Sequence, residues 1–394
     1  MLDTPAVMIT GARQVGKTTL AKTVNDAAYF TFDDLELRAI VKSAPTEFIK
    51  GIAGRVILDE IQHLPEILSA IKQSIDNDRS PGRYILTGSA NILTLPKISE
   101  SLAGRVELIN LRTLSRNEIV GTTTNVIDRL FADDFPIPSD FDPIGKRELV
   151  EIALTGGYPE AVARKAQERR RIWFNSYITT IVQRDVRDLA RIEGLVDIPR
   201  LLGLLAARTG NLMSVADLSR SLGYSQATLH RYLVLLEQVF LIENLPAWSG
   251  NLSSRLIKAA KTFFADCGLA GYLVGADTDR VLSNATSAGG IIENFVIAEL
   301  RKHLEWSQTS GRAFHFRNSS NTEVDIVLES TLGEIVGIEV KFGSDLGKSD
   351  FRGLKRLAED VGSKFKRGVI LHAGDKFAAF GNELYVAPIS LLWR

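Results

Sequence analysis

The sequence predicts an α/β chain made of more than one domain, and three local patterns carry this prediction. The apolar run Ala6–Ile9 leads into the loop pattern Gly-x4-Gly-Lys-Thr at residues 11–18, and a helical pattern follows. Residues 214–237 have the spacing of two short helices joined by a glycine turn. Residues 323–328 and 335–341 alternate between apolar and charged side chains, as the strands of a hairpin do. Together these patterns favour a parallel-sheet domain, a helical domain and a second α/β domain, in that order.

The composition limits the class of protein. A length of 394 residues exceeds one hydrophobic core, since single cores rarely grow beyond about 250–300 residues. The 47 basic and 47 acidic residues cancel, so the net charge indicates neither nucleic-acid binding nor its absence. Cys267 is the only cysteine, which excludes an internal disulfide and a thiolate-rich zinc site. No apolar run approaches the roughly 20 residues of a membrane span, so we expect a cytoplasmic protein with no membrane partner.

Two stretches predict domain boundaries. Residues 135–143 are rich in proline, and residues 283–290 are small and mostly polar. Both compositions are typical of connecting segments. The predicted domains are therefore residues 1–135, 144–282 and 288–394.

The first loop has the residues of a phosphate-binding loop. Its two glycines let the backbone turn N–H groups toward phosphate oxygens, and the following helix points its positive end at the same anion. Lys17 is expected to reach the β- and γ-phosphates, and the Thr18 hydroxyl to bind Mg²⁺. The sequence therefore predicts ATP and Mg²⁺ as ligands. The predicted nucleotide-binding residues are Gly11, Ala12, Arg13, Gln14, Val15, Gly16, Lys17, Thr18, Thr19 and Ser89.

A second metal ligand is predicted at the end of the next buried strand. Residues 55–60 read Arg-Val-Ile-Leu-Asp-Glu, three apolar residues followed by two carboxylates. Asp59 would bind the Mg²⁺ directly or through water. Glu60 would polarise the attacking water as a general base.

Two further groups are candidates for the hydrolysis step. The strand 83–87 runs into polar residues, of which Thr87, Ser89 or Asn91 could orient the lytic water as a sensor. A plain strand-ending turn is the alternative. Arg105 is a candidate arginine finger, acting in cis or across a subunit boundary, or else a solvated surface arginine.

Four of these stretches together resemble a known motif set. Residues 11–19 (Gly-Ala-Arg-Gln-Val-Gly-Lys-Thr-Thr), 58–62 (Leu-Asp-Glu-Ile-Gln), 86–90 (Leu-Thr-Gly-Ser-Ala) and 101–105 (Ser-Leu-Ala-Gly-Arg) look like those of one group of prokaryotic ATPases. These are the AAA-type proteins of family 14, whose C-terminal part is domain of unknown function 4143. The resemblance spans essentially the whole chain. It implies an AAA+-like ATP-hydrolysing domain and leaves a homo-oligomer open.

The resemblance also extends into the middle of the chain. It matches Gly156-Gly-Tyr-Pro-Glu160 to a recurring turn of the family. It matches Arg184 and Asp185 to another family position, interpreted as an interdomain ion pair.

A basic helix is predicted at the start of the middle domain. Residues 164–191 contain eight Lys or Arg and three Asp or Glu, and Trp173 and Tyr177 fall on one helical face. A basic helix with aromatic residues could track a phosphate backbone. A solvated face with a packed aromatic stripe gives the same pattern.

The pattern at residues 214–237 predicts a helix-turn-helix. Ser225 is the expected N-cap of the second helix, which carries Leu229, Leu233 and Leu236 inward. Two strand-like runs that follow could form the β-wing of a winged helix. The exposed candidates for contacting DNA are Gln226, Thr228, His230 and Arg231. Many winged helices dock proteins instead, so both kinds of partner stay open.

The last domain carries a pattern of carboxylates. Asp325 and the pair Glu339-x-Lys341 are predicted on adjacent strands, with Glu339 and Lys341 on one face. Asp325 and Glu339 are the predicted metal ligands, and a metal held beside a lysine can activate water against a phosphodiester. Glu293 on the preceding helix completes the cluster, and the arrangement resembles the restriction-endonuclease-like nuclease core. Charged residues that alternate with apolar ones also fit an ordinary exposed edge strand.

The predicted architecture is thus a P-loop, AAA+-like parallel-sheet domain, a helical and winged-helix middle domain, and a C-terminal restriction-endonuclease-like α/β domain. We expect a Mg-dependent ATPase whose nucleotide state controls DNA engagement or cleavage by Glu293, Asp325, Glu339 and Lys341. The alternative is a non-nucleolytic ATP-dependent switch that binds DNA or a protein partner. A small-molecule kinase is a third hypothesis, disfavoured because the sequence contains no acceptor-binding motif.

Overall fold

The computed structural model describes residues 3–89, 104–135, 144–186, 198–251, 253, 255, 258–318, 320–343, 346–381 and 383–394. The chain divides into two compact units. The first consists mainly of the chain up to Arg112, and the second of most of the chain from Thr113 onwards. No helix within the described ranges combines the length and the apolar character that a membrane crossing requires.

The first unit is built on a five-stranded parallel sheet. Its strands are β1 (Ala6–Thr10), β2 (Ala27–Thr31), β3 (Arg55–Asp59), β4 (Tyr84–Gly88) and β5 (Val106–Asn110). Their order across the sheet is β2-β3-β4-β1-β5, and every pairing is parallel. Strand β4 thus lies between β3 and β1. Because the strands are parallel, the carboxyl ends of β1, β3 and β4 lie on the same edge of the sheet.

Four helices pack with this sheet in the described part of the first unit. They are α1 (Lys17–Ala21), α2 (Leu35–Ser43), α3 (Pro45–Gly51) and α4 (Ile67–Asn77). Strands β1 and β4 are buried along their whole length, which explains their continuous apolar sequences. Helix α4 buries Ile67, Leu68, Ile71 and Ile75 on one face, in the same core as residues of β1, β3 and β4.

The helical part of the chain starts immediately after the first sheet. Its helices are α5 (Arg116–Val120), α6 (Val126–Phe131), α7 (Lys146–Thr155), α8 (Pro159–Val162), α9 (Gln167–Thr180), α10 (Ile198–Ala207), α11 (Val215–Leu222), α12 (Gln226–Gln238), α13 (Cys267–Leu273), α14 (Thr278–Ser283) and α15 (Ala285–Leu304). Val126, Ile127 and Leu130 of α6 share a hydrophobic core with Phe295 of α15. The first unit thus ends before residue 135, since these side chains bury in the second unit. The division into three domains stays a prediction.

The predicted helix-turn-helix corresponds to α11 and α12. The Ser225 hydroxyl accepts a hydrogen bond from the Thr228 backbone N–H at 3.1 Å, as an N-cap does. The leucines expected inside the fold are buried, which confirms the predicted orientation of the helix: Leu229, Leu233 and Leu236. The opposite face exposes Gln226, His230 and Arg231, and Thr228 is half-buried. Strands β6 (Ile242–Leu245) and β7 (Lys261–Phe264) follow as an antiparallel pair.

The aromatic stripe of the basic helix α9 is packed. The rings of Trp173 and Tyr177 stack with their centroids 5.1 Å apart, and the hydroxyls of Tyr158 and Tyr177 are 2.9 Å apart. Arg169 and Arg171 are exposed. The helix therefore has the solvated basic face and packed stripe of the second interpretation. The side chains of Arg184 and Asp185 lie outside the described residues.

The C-terminal part contains a six-stranded mixed sheet. Its strands are β8 (Gly311–Arg317), β9 (Glu323–Ser330), β10 (Ile335–Lys341), β11 (Phe365–His372), β12 (Ala378–Phe380) and β13 (Leu384–Pro388), in the order β12-β13-β11-β10-β9-β8. Helix α16 (Arg352–Val361) precedes β11. Strands β9 and β10 pair antiparallel with Ile338 opposite Ile326, which confirms the predicted hairpin. This register places Asp325 and Glu339 next to each other across the pair.

Candidate nucleotide site and carboxylate cluster

The loop between β1 and α1 has the backbone that a phosphate cradle needs. Gly11 has φ +145°, and a Cβ atom there would lie 2.2 Å from the carbonyl oxygen of Leu111. Gln14 and Gly16 also have positive φ, at 61° and 104°. A loop that curls in this way turns successive N–H groups toward one point. The pattern read from the sequence therefore forms a loop of the predicted kind.

The side chains of this loop divide into buried and exposed groups. Ala12 and Val15 are buried, Arg13 and Thr18 are half-buried, and Gln14 and Thr19 are exposed. Lys17 is only 5% exposed. Its ammonium donates to the carbonyl oxygens of Gly11 at 3.1 Å and Ala12 at 2.7 Å. Carbonyl oxygens are neutral acceptors, so a phosphate that replaces these two gives the ammonium a charged partner.

Asp59 is the hub of polar contacts at the end of β3. Its Oδ1 atom accepts two hydrogen bonds, one from the Thr18 hydroxyl at 2.8 Å and one from the Thr87 hydroxyl. The other oxygen accepts from the Tyr29 hydroxyl at 2.8 Å. Burial and this bond to Asp59 raise the pKa of Tyr29 to about 12. The pair of Thr18 and Asp59 is a donor set of hydroxyl and carboxylate oxygens, which suits Mg²⁺.

Glu60 follows Asp59 in a left-handed conformation with φ 55°. Its backbone N–H donates to the Thr87 hydroxyl at 3.2 Å, and its carboxylate accepts from the Gln62 amide. The same amide donates to the Ser89 hydroxyl at 3.0 Å. Gln62 and Thr87 therefore hold the predicted base and the predicted sensor residues in one network at the edge where the loop lies. Asn91 lies outside the described residues.

Arg105 lies at the amino-terminal end of the parallel strands, and the P-loop lies at their carboxyl end. It immediately precedes β5, and its guanidinium donates to the Asp76 carboxylate at 2.7 Å and 3.1 Å. Asp76 belongs to the last turn of α4, just before β4 begins. Because the P-loop is at the other end of these strands, this geometry does not support Arg105 as an arginine finger acting in cis. A role across a subunit boundary stays a prediction.

The predicted nuclease residues come together in the second unit. Glu293 lies on α15, Asp325 on β9, and Glu339 and Lys341 on β10. One Asp325 oxygen accepts from the backbone N–H of Val340 at 2.9 Å. The Lys341 ammonium is 3.6 Å from a Glu339 oxygen and 3.9 Å from an Asp350 oxygen.

A residue that the sequence did not indicate lies within this cluster. The Lys261 ammonium, on β7, is 2.9 Å from Glu293, 2.6 Å from Glu323 and 3.7 Å from Asp325, measured to carboxylate oxygens. Lys261 is 2% exposed. Burial by itself disfavours its charge, but Glu293, Asp325 and Glu323 outweigh burial and raise its pKa. The lysine therefore stays protonated and offsets part of the negative charge of the cluster.

The carboxylates carry more negative charge than one lysine balances. Burial, and next the charge of Asp325, raise the pKa of Glu293. The same two causes, in the same order, raise the pKa of Glu339. Carboxylates that crowd one buried site hold protons to higher pH because they cannot all ionise.

The cluster as arranged does not fit a divalent metal. Three of its carboxylates are neighbours of the Lys261 ammonium, which occupies the space between them. Within the ranges that the structure describes, no group of three or more His, Cys, Asp or Glu is placed to hold a metal ion. The assignment of Asp325 and Glu339 as metal ligands stays a prediction.

Sequence reasoning missed Lys261, Glu323 and Tyr29. Lys261 opens the strand Lys-Thr-Phe-Phe, which is buried at all four positions, and this burial is visible only in the structure. A lysine in such a strand requires buried carboxylate partners. Those partners are distant in the chain, so the sequence did not identify them.

The parallel sheet, its loop after β1 and the Asp-Glu pair after β3 define the class: a P-loop domain of the nucleotide-binding AAA type. Comparison with known families agrees. A family model described as an AAA domain matches residues 3–120, and one described as domain of unknown function DUF4143 matches residues 288–392. A third, domain of unknown function DUF8612, matches residues 146–280.

Relatives extend this likeness over most of the chain. Uncharacterized proteins of Mycobacterium tuberculosis and Mycobacterium bovis are each 30% identical over 339 residues, which is 86% of this chain and 70% of theirs. An uncharacterized protein of Haemophilus influenzae is 22% identical over 299 residues, covering 73% of this chain and 65% of its own. The chain belongs to the family of AAA-domain proteins with a C-terminal DUF4143 domain.

Proposed function

We propose that this protein hydrolyses ATP with Mg²⁺ at the P-loop. The observation that carries the proposal is the 2.8 Å hydrogen bond between the Thr18 hydroxyl and Asp59, next to a lysine held in the loop. A hydroxyl after the loop lysine and an aspartate at the end of another strand of the sheet are the two protein groups that hold Mg²⁺ in P-loop enzymes.

Each residue of the site then has a definite task. When bound, ATP supplies the reactive phosphoryl group, and Mg²⁺ supplies positive charge that offsets the negative charge of the phosphates. Lys17 exchanges the carbonyls of Gly11 and Ala12 for phosphate oxygens. Glu60, positioned by Gln62, accepts the proton of the attacking water, and Thr87 or Ser89 orients that water.

Loss of Lys17 tests this proposal. We expect Lys17→Ala to abolish ATP binding, measured with a fluorescent ATP analogue, and with it the release of phosphate. Lys50→Ala is the matched control, because Lys50 is an exposed lysine at the end of α3. ATP turnover that survives in Lys17→Ala would contradict the proposal.

We further propose that the exposed face of α12 binds DNA in response to the nucleotide state. The support is that Gln226, His230 and Arg231 are exposed on the second helix of a helix-turn-helix, where base and phosphate contacts occur. Arg231→Ala is expected to weaken duplex binding, measured by fluorescence anisotropy. It should also reduce the slope of log affinity against log salt concentration by about one. Arg312→Ala, an exposed arginine on β8, is the control. Equal binding by both variants would favour a protein partner for this face.

A metal-dependent nuclease, which would require the Lys261 ammonium to leave the carboxylate cluster, is the second candidate for the C-terminal domain. The observation that favours it is the convergence of Glu293, Asp325, Glu339 and Lys341 from one helix and two strands. Plasmid and branched DNA incubated with Mg²⁺ or Mn²⁺, with and without ATP, test it. Cleavage by the wild type that Lys341→Ala loses, while ATP turnover continues, would support the nuclease. Intact DNA under all conditions, with ATP turnover present, would favour the non-nucleolytic switch.

A further inference from the structure

The Lys261 ammonium occupies the centre of the carboxylate cluster. Its three carboxylate neighbours come from different positions in the fold: Glu293 from α15, and Glu323 and Asp325 from two positions of β9. The distances of 2.6 and 2.9 Å to Glu323 and Glu293 are those of direct charge-assisted hydrogen bonds. At 2% exposure, the ammonium has the carboxylates in place of water.

The strand that presents Lys261 is fixed to the helix that carries Glu293. On β7, the backbone N–H of Phe264 donates to the Asn294 side chain at 2.8 Å, and the Asn294 amide donates to the Phe264 carbonyl at 3.0 Å. On β6, the neighbouring strand, Glu243 forms an ion pair with Arg301 of the same helix. Lys261 is therefore held in place by the hairpin that follows the helix-turn-helix.

A lysine and a divalent cation compete for such a position. A divalent ion in contact with Asp325 and Glu293 would lie within a few ångströms of the ammonium, and repulsion at that distance is strong in a buried site. Oxygens of Glu293 and Asp325 that could coordinate a metal already lie beside the Lys261 ammonium.

We infer that Lys261 is the built-in cation of this cluster, and that a divalent metal binds there only when the Lys261 charge is removed or β7 moves away. In this arrangement, the carboxylate cluster is then closed to divalent metal ions. The β6–β7 hairpin, which follows the helix-turn-helix in the chain, presents Lys261 to the cluster.

Manganese binding by the full-length chain tests this inference. The free Mn²⁺ signal in electron paramagnetic resonance is titrated without nucleotide for the wild type, Lys261→Met, Lys261→Met with Asp325→Asn, and Lys258→Met. Lys258→Met is the matched control, since Lys258 is an exposed lysine three residues before Lys261. Manganese held by Thr18 and Asp59 would be the same in all four proteins. No DNA is cleaved and no ATP is consumed, so failure of the ATPase or nuclease proposals does not affect the result.

Lys261→Met is expected to gain one Mn²⁺ site at least tenfold tighter than any site of the wild type or of Lys258→Met. Asp325→Asn should remove the new site. Manganese should also raise the melting temperature of Lys261→Met alone. A folded Lys261→Met that gains no site would overturn the inference. If Lys261→Met does not fold, the wild type and Asp325→Asn decide: equal Mn²⁺ binding supports the inference, and a bound ion that Asp325→Asn loses overturns it.

Discussion

Lys17 and Lys261 are both buried, and they differ in the groups that hold the ammonium. Lys17 bonds to the backbone carbonyls of Gly11 and Ala12 at the P-loop. Lys261 bonds to the carboxylates of Glu293 and Glu323 and lies 3.7 Å from Asp325. In the first unit the carboxylate of Asp59 accepts hydrogen bonds from hydroxyls. In the second unit the carboxylates of Glu293 and Glu323 form ion pairs with Lys261.

This difference shows why similar residue types give an open site in one place and a closed one in another. A carbonyl partner is neutral, so the Lys17 ammonium can leave it for a phosphate and gain a charged partner. Carboxylate partners are buried, so removing Lys261 leaves them without a cation, and they must then hold protons or repel one another. Lys17 is suited to bind a ligand, and Lys261 is suited to exclude one.

The largest effect is expected at the open site. Glu60→Gln removes the proposed general base but keeps the shape of the side chain, so ATP turnover should fall about 10³-fold, or roughly 4 kcal/mol in barrier height. Binding of ATP should change little, because Glu60 is assigned no contact with the phosphates. Phosphate release and nucleotide binding measured on the same protein separate the two. Turnover within a factor of three of the wild type would remove Glu60 from the mechanism.

The closed cluster should respond in stability. Lys261→Met leaves buried carboxylates without their cation, and we expect the free energy of unfolding of the second unit to fall by about 3 kcal/mol. All four tryptophans lie at positions 173, 248, 306 and 393, so tryptophan fluorescence during urea unfolding reports on this unit. Lys258→Met should stay within about 0.5 kcal/mol of the wild type. Equal stability of the two variants would mean that the Lys261 charge does not stabilise the cluster.

A smaller effect concerns acid pH and a residue beside the cluster. Burial lowers the pKa of His315 to about 4, and its Nε2 is 3.0 Å from the Ala259 carbonyl while Nδ1 has no partner in the described residues. Since the folded pKa lies below the unfolded value near 6.5, the stabilisation by neutral His315 is complete above pH 6.5 and is lost as the pH falls toward 4.

We therefore expect the wild type to lose about 2 kcal/mol from this group between pH 8 and pH 5. The measurement is the difference in unfolding free energy between the wild type and His315→Gln at the two pH values, which cancels the other titrating groups. A difference that does not change with pH would show that His315 titrates normally in the folded protein.

The smallest expected effect returns to the open site. Tyr29→Phe removes one hydrogen bond to Asp59 from a side chain that is partly exposed, so the first unit should lose less than about 1 kcal/mol. Thr18 and Thr87 still donate to Asp59 in this variant. Thermal unfolding followed by circular dichroism should show stability close to that of the wild type, and an ATPase assay should show similar activity. A loss of activity comparable to that of Glu60→Gln would mean that Asp59 is not positioned by the two threonines.

Much of the site was predictable where the chemistry is local. Gly11, Lys17 and Thr18 are neighbours in the chain, and Asp59 ends an apolar strand that has to lie in the same parallel sheet. Asp325 and Glu339 could be paired because a hairpin fixes its own register. The inward leucines of α12 followed from helical periodicity, since Leu229, Leu233 and Leu236 recur at the spacing of one face.

The sequence alone therefore determined the loop chemistry, the strand ends and the faces of individual helices, because each depends on residues a few positions apart. The tertiary structure alone decided which edge of the sheet Arg105 occupies and that Lys261 enters the carboxylate cluster. Glu293 follows Lys261 by 32 residues, on a different element. Nothing in the spacing of the sequence brings them together. The packing of the β6–β7 hairpin against α15 does so, because a buried charge has to lie where the fold supplies its partners.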